Sequence, residues 1–411
     1  MTFEASNYNY FGDQPAVMAK LVIEYEDGTS DTVVTDESWS YYNDGPVRLA
    51  SFFQGERYDA TKEAAVEGWT SAGFDASSWT SASIVETRKQ FANAELVTRT
   101  DTPVHALYIN CLNQAAEIAD IMGDTERAEG YRETSAIAKE AWNEMFLDSE
   151  TGKTKNTKGE IQDTQASYAT PLRFGVIRDE NMEKVLTNYG ATITEASGED
   201  TEGNAIVPYT LTTGFNATGN LLNALSDNGR NEIAYKLFEA TDYAFWLYPV
   251  TQGATSIWER WNSYTEDKAF GGNNAMNSFN HYSFGAVGEW MMGYQLGIKA
   301  DKEQPGYQHF ILQPTVGGTF TQAKGSYDSV YGTIVSGWTA SEGVMTSYDV
   351  TVPANTSATL YLPAEGTVAG CEGVTVTGTA EHNGIQTQQM ELVAGTYHFE
   401  VAEGEITVTA A

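Results

Sequence analysis

The spacing of apolar residues changes twice along the chain, and that double change restricts the folds open to it. From about His105 to Ala300 the apolar positions recur at three- and four-residue steps; on both sides they alternate or run in short blocks. Helical spacing in the middle and strand spacing at both ends predict a helical layer flanked by two β regions, not an alternating β/α sheet. Tyr108, Leu112, Ala115, Ile118 and Met122 form one stripe, Gly123-Asp124 breaks it, and Tyr131, Ser135, Ala138, Trp142 and Phe146 form a second. Two such stripes around a short breaker predict an antiparallel helical hairpin. Further helices are expected near 160–174, 179–189, 214–228, 230–240 and 280–297, joined by long loops rich in Gly, Asn and Thr. Long ordered loops on a helical frame often carry function.

Before the helices, MAKLVIEY over 18–25, the turn dipeptide Asp27-Gly28 and then Thr32-Val33-Val34-Thr35 predict a β-hairpin. The rest of that zone is rich in Gly, Ser and Trp, as in a β module with long loops. After about Ala300, Ser347–Val352 (SYDVTV), Ser357–Leu362 (SATLYL) and Thr396–Val401 (TYHFEV) alternate in and out, which predicts a small antiparallel sandwich. The expected domains are therefore 1–104, β-rich and accessory; 105–300, helical and catalytic in type; and 301–411, a β-sandwich.

Charge removes several functions. With 56 acidic against 23 basic residues the net charge is −33, the wrong sign for nucleic acid or an anionic membrane. A neutral substrate suits such a surface. Cys111 and Cys371 are the two cysteines, so no disulfide framework is expected. His105, His281, His309, His382 and His398 show no ligand spacing, and neither a metal nor another cofactor is expected. No Walker loop, dinucleotide fingerprint or nucleophile elbow is present. No apolar run is long enough for a membrane helix, and Met1–Tyr10 lack the basic start and apolar stretch of a signal peptide, so a cytoplasmic location is expected.

The chemistry concentrates in GATSIWERW, from Gly253, and MNSFNHYSFGAVGEW, from Met276. Trp246, Trp258, Trp261 and Trp290 fall within or beside these segments. Glu259 stands between Trp258 and Arg260. A carboxylate beside aromatic rings and an arginine is what glycoside cleavage uses, as a base or nucleophile next to a wall on which sugar C–H faces stack. The residues alone equally allow a salt-bridged Glu259–Arg260 pair on a helical edge. Asn280-His281-Tyr282 opens the last predicted helix, where free N–H groups and an imidazole can face a ligand; a single His is as readily structural.

These segments, with PGYQHFILQP and GSYDSVYGTIVSGW further on and Leu211–Gly229 (LTTGFNATGNLLNALSDNG) before them, resemble the second half of bacterial α-L-rhamnosidases, glycoside hydrolase family 78. Gly45-Pro46-Val47, Gly55–Ala60 (GERYDA), Gly68-Trp69, Gly73-Phe74-Asp75 and Ala94-Glu95-Leu96 are similar to that family's accessory β domain. The resemblance implies an (α/α)6 toroid flanked by β-sandwiches. It implies hydrolysis of terminal α-L-rhamnose from rhamnosides or oligosaccharides, with inversion. Glu259 would be the general base, Trp246 and His281 would lie against the sugar together with Asn280, and Trp258, Arg260 and Trp261 would line or brace the base.

One part of the family's pattern is missing. Its general acid lies in a motif close to Asp-x-Arg-x-Glu-Arg in the first half of the toroid, and no such motif occurs here. A six-hairpin toroid needs twelve helices of about 11–12 residues plus loops, and residues 105–300 hold about seven by the same spacing rules. A partial toroid is therefore expected, with the acid unassigned; Asp163, Glu160 and Asp227 are carboxylates in the helical stretch that the sequence does not place. Two readings follow, an active rhamnosidase or a catalytically impaired rhamnoside-binding remnant, and the motifs disfavour a third, a toroid glycosidase for another sugar. Helices without neighbours leave apolar stripes open, so a homodimer is expected.

Overall fold

The computed structural model describes residues 17, 19–25, 29–51, 55–71, 73–84, 102–200, 203–266, 269–270, 277–402 and 404–410. Met18, the Asp27-Gly28 turn, Ala94-Glu95-Leu96 and Met276 lie outside them. The chain divides into two compact units, Met1–Thr98 and Arg99–Ala411.

In the first unit β1 (Lys20–Glu24) and β2 (Ser30–Val34) form the expected hairpin, with Leu21 opposite Val33. Beyond them come β3 (Ser40–Tyr41), β4 (Val47–Ser51), β5 (Gly55–Tyr58) and β6 (Thr80–Ser81), in which β3 pairs with β6 and β4 with β5. Three separate two-stranded pairs result among the described residues. A 3-10 turn over Ala60–Ala65 starts where the Asp59 carboxylate accepts from the Thr61 N–H, satisfying a donor that the turn leaves free. Tyr42, Phe74 and Trp79 cluster beside it.

The second unit opens with α1 (Thr102–Ile121) and α2 (Thr125–Phe146), the predicted hairpin. Gly123 takes the left-handed conformation (φ 76°) that ends α1. Asp124 then caps α2 by accepting from the Arg127 N–H, and Arg132 of α2 reaches back to Asp120 of α1. Next come α3 (Gln165–Arg173), with a Thr164/Ser167 capping box, and α4 (Met182–Thr194). A short β7–β8 pair (Gly198–Glu199, Ala205–Ile206) precedes α5 (Phe215–Asp227), α6 (Asn231–Glu239) and the single turn α7 (Leu247–Thr251). The stretch expected as one long helix over 280–297 is instead a 3-10 turn (Ser283–Ala286), α8 (Val287–Trp290) and a π turn (Met291–Gln295). Gly285, Gly288 and Gly293 punctuate it, and glycine weakens helical uniformity.

α1 packs on α3, α3 on α5 and α5 on α8, while α2 packs behind α1 and α4 on α6. That is a row of inner helices backed by outer ones, the hairpin repeat of a toroid. The core joins Trp142, Tyr168, Tyr189, Leu221, Tyr235 and Trp290. On α2 the predicted stripe is right: Ser135, Trp142 and Phe146 are buried. On α1 it is not. The buried positions are Ala106, Ile109, Leu112, Ala116 and Ala119, whereas Tyr108, Ile118 and Met122 are exposed. Small alanines let α1 approach its neighbours closely, and the larger residues that dominated the sequence pattern lie on the opposite side.

The last part is a nine-stranded sheet. Its strands are β9 (Ile298–Ala300), β10 (His309–Leu312), β11 (Gln322–Ser329), β12 (Gly332–Ser341), β13 (Val344–Leu362), β14 (Thr367–Ala369), β15 (Val374–His382), β16 (Ile385–Ala402) and β17 (Glu405–Ala410). The order β11-β12-β13-β16-β17-β14 is antiparallel except for the parallel β14–β17 pair, and β10 joins β13 in parallel. The predicted alternation holds: Tyr348, Val350 and Val352 of β13 and Tyr397 and Phe399 of β16 point inward. Gly297 connects the helices to this sheet at φ 74°, and a Cβ there would come within 2.1 Å of the Gln313 backbone, so only glycine fits. Tyr235 OH to Thr315 O (2.6 Å) and Trp338 Nε1 to Gln295 O (2.8 Å) fasten the two parts. Among the described residues no helix is long and apolar enough to cross a membrane.

Candidate active site

Between α7 and the 3-10 turn the described residues form no helix or named strand, so their backbone groups need local partners. Two segments supply them to each other. The Glu259 N–H donates to Ser278 O (2.9 Å) and the His281 N–H to Ile257 O (2.8 Å), while Ser256 Oγ donates to Phe279 O. The Ser278 N–H in turn donates to Glu259 Oε2 at 2.7 Å. This charge-assisted bond fixes the carboxylate on the loop that follows Trp258. Ser278 also steadies its own turn, its Oγ accepting from the Asn280 N–H.

Beside this ladder lies a cavity of about 320 Å³, within the usual range for small ligands. Trp246, Ile257, Trp258, Arg260, Trp261 and Phe284 form much of its lining. Trp261 lies flat on Phe284, ring centres 3.8 Å apart at 9°, and Trp246 meets Trp261 edge-on at 5.8 Å. The indole N–H groups are used inside the protein, Trp246 to Phe284 O and Trp261 to Thr213 O, each at 3.0 Å. The rings are therefore locked, and the aromatic surface they show the cavity is apolar. Trp246 and Trp258 are each only 7% exposed, so most of their area serves the core.

The charged group of this wall is Arg260, with Thr255 and Ser256 also in the lining. Its N–H donates to Ser263 Oγ, and Asn277 Nδ2 donates to Ser263 O (3.0 Å). Arg260 Nε and Nη2 and Asn277 Oδ1 are buried and meet no partner among the described residues. The salt bridge to Glu259 that the sequence allowed does not form; Glu259 takes the Ser278 amide instead. Buried guanidinium donors without acceptors are costly, and a ligand oxygen or water in the cavity would satisfy them.

The residues singled out in the sequence thus fall into two groups. Trp246, Trp258, Arg260 and Trp261 line the cavity, whereas Glu259, Asn280 and His281 do not. His281 stacks on Phe215 (4.8 Å) and on Tyr282 (5.1 Å), and its Nδ1 accepts from the Ser283 N–H at 3.3 Å. That bond leaves Nε2 as the donor of the neutral ring. Asn280 is exposed. Phe215, Phe284, Ser263, Asn277 and Ser278 are additions that the sequence reading missed; all but Ser263 stand in motifs already noted, and Ser263, Asn277 and Ser278 act through contacts with backbone groups that sequence does not display.

The carboxylates left unplaced are engaged elsewhere. Asp163 accepts from Tyr168 OH (2.5 Å) and Lys153 Nζ (2.6 Å), and Glu160 from Asn156 Nδ2 (2.9 Å). Asp227 accepts from Arg173 Nη1 and Tyr294 OH, both at 2.6 Å. Tyr168 and Tyr294 are pushed well above the ordinary phenol range, first by burial and then by these carboxylates, so both stay protonated donors. A second cavity, about 470 Å³, shares α7 and is lined by Asp242 and Glu266. No metal-ligating cluster occurs among the described residues.

Comparison with known proteins meets this geometry. Residues 19–294 match the family profile of the bacterial alpha-L-rhamnosidase 6 hairpin glycosidase domain, and 297–376 that of the bacterial alpha-L-rhamnosidase C-terminal domain. An alpha-L-rhamnosidase of Formosa agariphila is 31% identical over 260 residues, 63% of this chain and 26% of that protein. One from Streptomyces avermitilis is 31% identical over 267 residues, 64% of this chain and 23% of its own length. The crystal structure of a Streptomyces avermitilis alpha-L-rhamnosidase complexed with L-rhamnose superposes with a TM-score of 0.60 at 29% identity, covering 72% of this chain and 26% of that one. The chain spans about a quarter of the length of these relatives. With the hairpin row, the C-terminal sheet and most of its length matched, this chain belongs to the bacterial α-L-rhamnosidase family of six-hairpin glycosidases.

Proposed function

We propose that the chain hydrolyses terminal α-L-rhamnose from rhamnosides or rhamnose-containing oligosaccharides with inversion, Glu259 acting as general base. The observation that carries this reading is the Glu259 carboxylate, fixed by the Ser278 amide next to a tryptophan-walled cavity with unpartnered Arg260 donors. In the reaction Glu259 takes a proton from water, the water oxygen bonds to the anomeric carbon from the face opposite the aglycone, and the glycosidic C–O bond breaks. The departing oxygen needs a proton from an acid roughly 6.5–9.5 Å from the base in an inverting pair. Trp246, Trp258 and Trp261 stack the sugar, Arg260 bonds its hydroxyls, and His281 and Asn280 close the open side.

A second reading, a rhamnoside-binding remnant with impaired catalysis, has its own support. No carboxylate is among the residues lining the tryptophan cavity, and Asp163, Glu160 and Asp227 are held by other partners. Substrates with different leaving groups separate the readings. Without an acid, an alkyl rhamnoside should be cleaved about 10²–10⁴-fold more slowly than by a complete family member. A dinitrophenyl rhamnoside, whose phenolate leaves unprotonated, should lose far less. Equal loss on both would show that protonation is not what is missing, and normal rates on both would show that an acid is present, with Asp242→Asn and Glu266→Gln the variants to find it.

Binding is tested independently. In calorimetry with L-rhamnose, Arg260→Met should weaken affinity about 10- to 100-fold, since bonds to a charged donor contribute about 1.5–3 kcal/mol. His281→Ala removes one neutral donor and should cost about fivefold. Absence of any rhamnose binding by the parent protein would overturn the binding reading.

A further inference from the structure

The two cavities beside α7 are opposite in character. The first is walled by tryptophan rings. The second, about 470 Å³, is lined by Asn204, Asp242, Tyr243, Tyr248, Gln252 and Glu266, together with three threonines. α7 serves both: Pro249 and Val250 line the first, Tyr248, Thr251 and Gln252 the second.

Part of the second wall is fixed in advance. The Asp200 carboxylate accepts from Tyr243 OH (3.1 Å), from Asn204 Nδ2 (2.8 Å) and from the Asn204 N–H (2.8 Å). Tyr248, 8% exposed, meets Tyr243 edge-on at 5.7 Å. Asp242 and Glu266 differ: their carboxylates take no hydrogen bond or ion pair from a described residue. We propose that this cavity is a distal sugar-binding subsite, holding an inner residue of a neutral oligosaccharide whose terminal rhamnose lies in the tryptophan cavity. The inference rests on the rhamnosidase reading given above.

The lining selects the ligand. No Lys, Arg or His is among its described residues, so an anionic group would find no counter-charge and would meet two like charges. An aryl or lipid occupant would strip water from two carboxylates and give them no donor in return. No group of three His, Cys, Asp or Glu side chains that could hold a metal ion occurs among the described residues. A polyhydroxylated ligand meets every requirement. Its hydroxyls donate to Asp242 and Glu266, the Gln252 amide both gives and accepts, and its C–H groups pack on the tyrosines. Distance sets which residue enters. A helix with its side chains is about 10 Å across, wider than one sugar ring. The residue joined to the rhamnose therefore crosses α7 at Val250, which is 60% exposed, and the next one reaches the second cavity.

The test is calorimetry on the full chain with L-rhamnose and with a neutral rhamnose-terminated disaccharide and trisaccharide. Sulfur replaces their glycosidic oxygens, so that neither is hydrolysed. The trisaccharide should bind about 10-fold or more tighter than the disaccharide. Asp242→Ala should remove most of that gain, because bonds to a charged acceptor are the strong ones, and Gln252→Ala should reduce it about fivefold. Neither variant should change L-rhamnose affinity or the melting temperature. Equal affinity for the two oligosaccharides, or a gain that both variants leave intact, would overturn the subsite while the rhamnose reading stands. A gain abolished by a chelator would assign the cavity to a metal ion and likewise overturn the subsite. Failure of L-rhamnose itself to bind would overturn the underlying reading and the subsite with it.

Discussion

Glu259→Gln should lower kcat on an aryl α-L-rhamnoside by about 10²–10⁴-fold, the usual range for a lost general base, with KM little changed. The substitution is isosteric. Its amide oxygen still accepts the Ser278 N–H that now reaches Glu259 Oε2, so the pairing of 256–259 with 278–281 persists. What the amide cannot do is take a proton from water. Two companions make the result specific. Glu183→Gln, an exposed carboxylate on α4 paired with Arg230, should leave the rate of any reaction based at Glu259 within a factor of a few. Glu259→Ala given azide should recover turnover, since azide needs no base, and the product should be the rhamnosyl azide of inverted configuration. Full activity in Glu259→Gln would move the base elsewhere, and a retained-configuration azide product would replace inversion with a covalent intermediate.

The parts of the molecule legible in the sequence are those governed by local rules. The α1–α2 hairpin follows from two periodic runs around Gly123-Asp124, and the β13 and β16 interiors from alternation at Tyr348, Val350, Tyr397 and Phe399. Which side of α1 is buried was not legible, because an inner toroid helix is apolar on both sides and periodicity does not distinguish them. Of the stripe from Tyr108 to Met122, Leu112 is buried but Tyr108, Ile118 and Met122 face outward, and Ala106, Ile109, Ala116 and Ala119 carry the packing. At the site the aromatic wall was legible from composition: four of the positions named on sequence line one cavity. The hold on Glu259 was not. It depends on a backbone N–H nineteen residues away and on two irregular segments pairing without any strand pattern. The unpartnered Arg260 was hidden for a related reason. Its neighbour Glu259 looked like its salt-bridge partner in sequence, but Glu259 is taken by the Ser278 amide while Arg260 sits at a turn closed by Ser263 and lines the cavity.

Trp290→Ala should be the most damaging single substitution in the helical part, costing about 3–5 kcal/mol for the lost packing. Trp290 is 1% exposed and meets Tyr235 edge-on at 5.0 Å and Phe238 at 5.3 Å, so it joins α8 to α6. Its Nε1 donates to Ser226 Oγ of α5 at 2.9 Å, and Ser226 is fully buried, so truncation also strands a hydroxyl. At about 2–4 °C per kcal/mol for a unit of this size, the melting temperature should fall on the order of 10 °C. Trp290→Phe keeps most of the ring contact and loses the hydrogen bond, so it should fall between the parent and the alanine variant. Trp69, 59% exposed in the first unit, is the control, and Trp69→Ala should leave the transition of the second unit in place. The loss should reach the site as well. α8 continues directly from the turn that holds Phe284, and Phe284 is the ring on which Trp261 lies. With α8 loosened, that stack loses its support, and rhamnose affinity should drop even at temperatures where the variant is still folded. A Trp290→Ala protein that melts within 2 °C of the parent would mean that α5, α6 and α8 do not share one core, and a lowered melting temperature with unchanged affinity would mean that the aromatic wall is held by the loop segments alone.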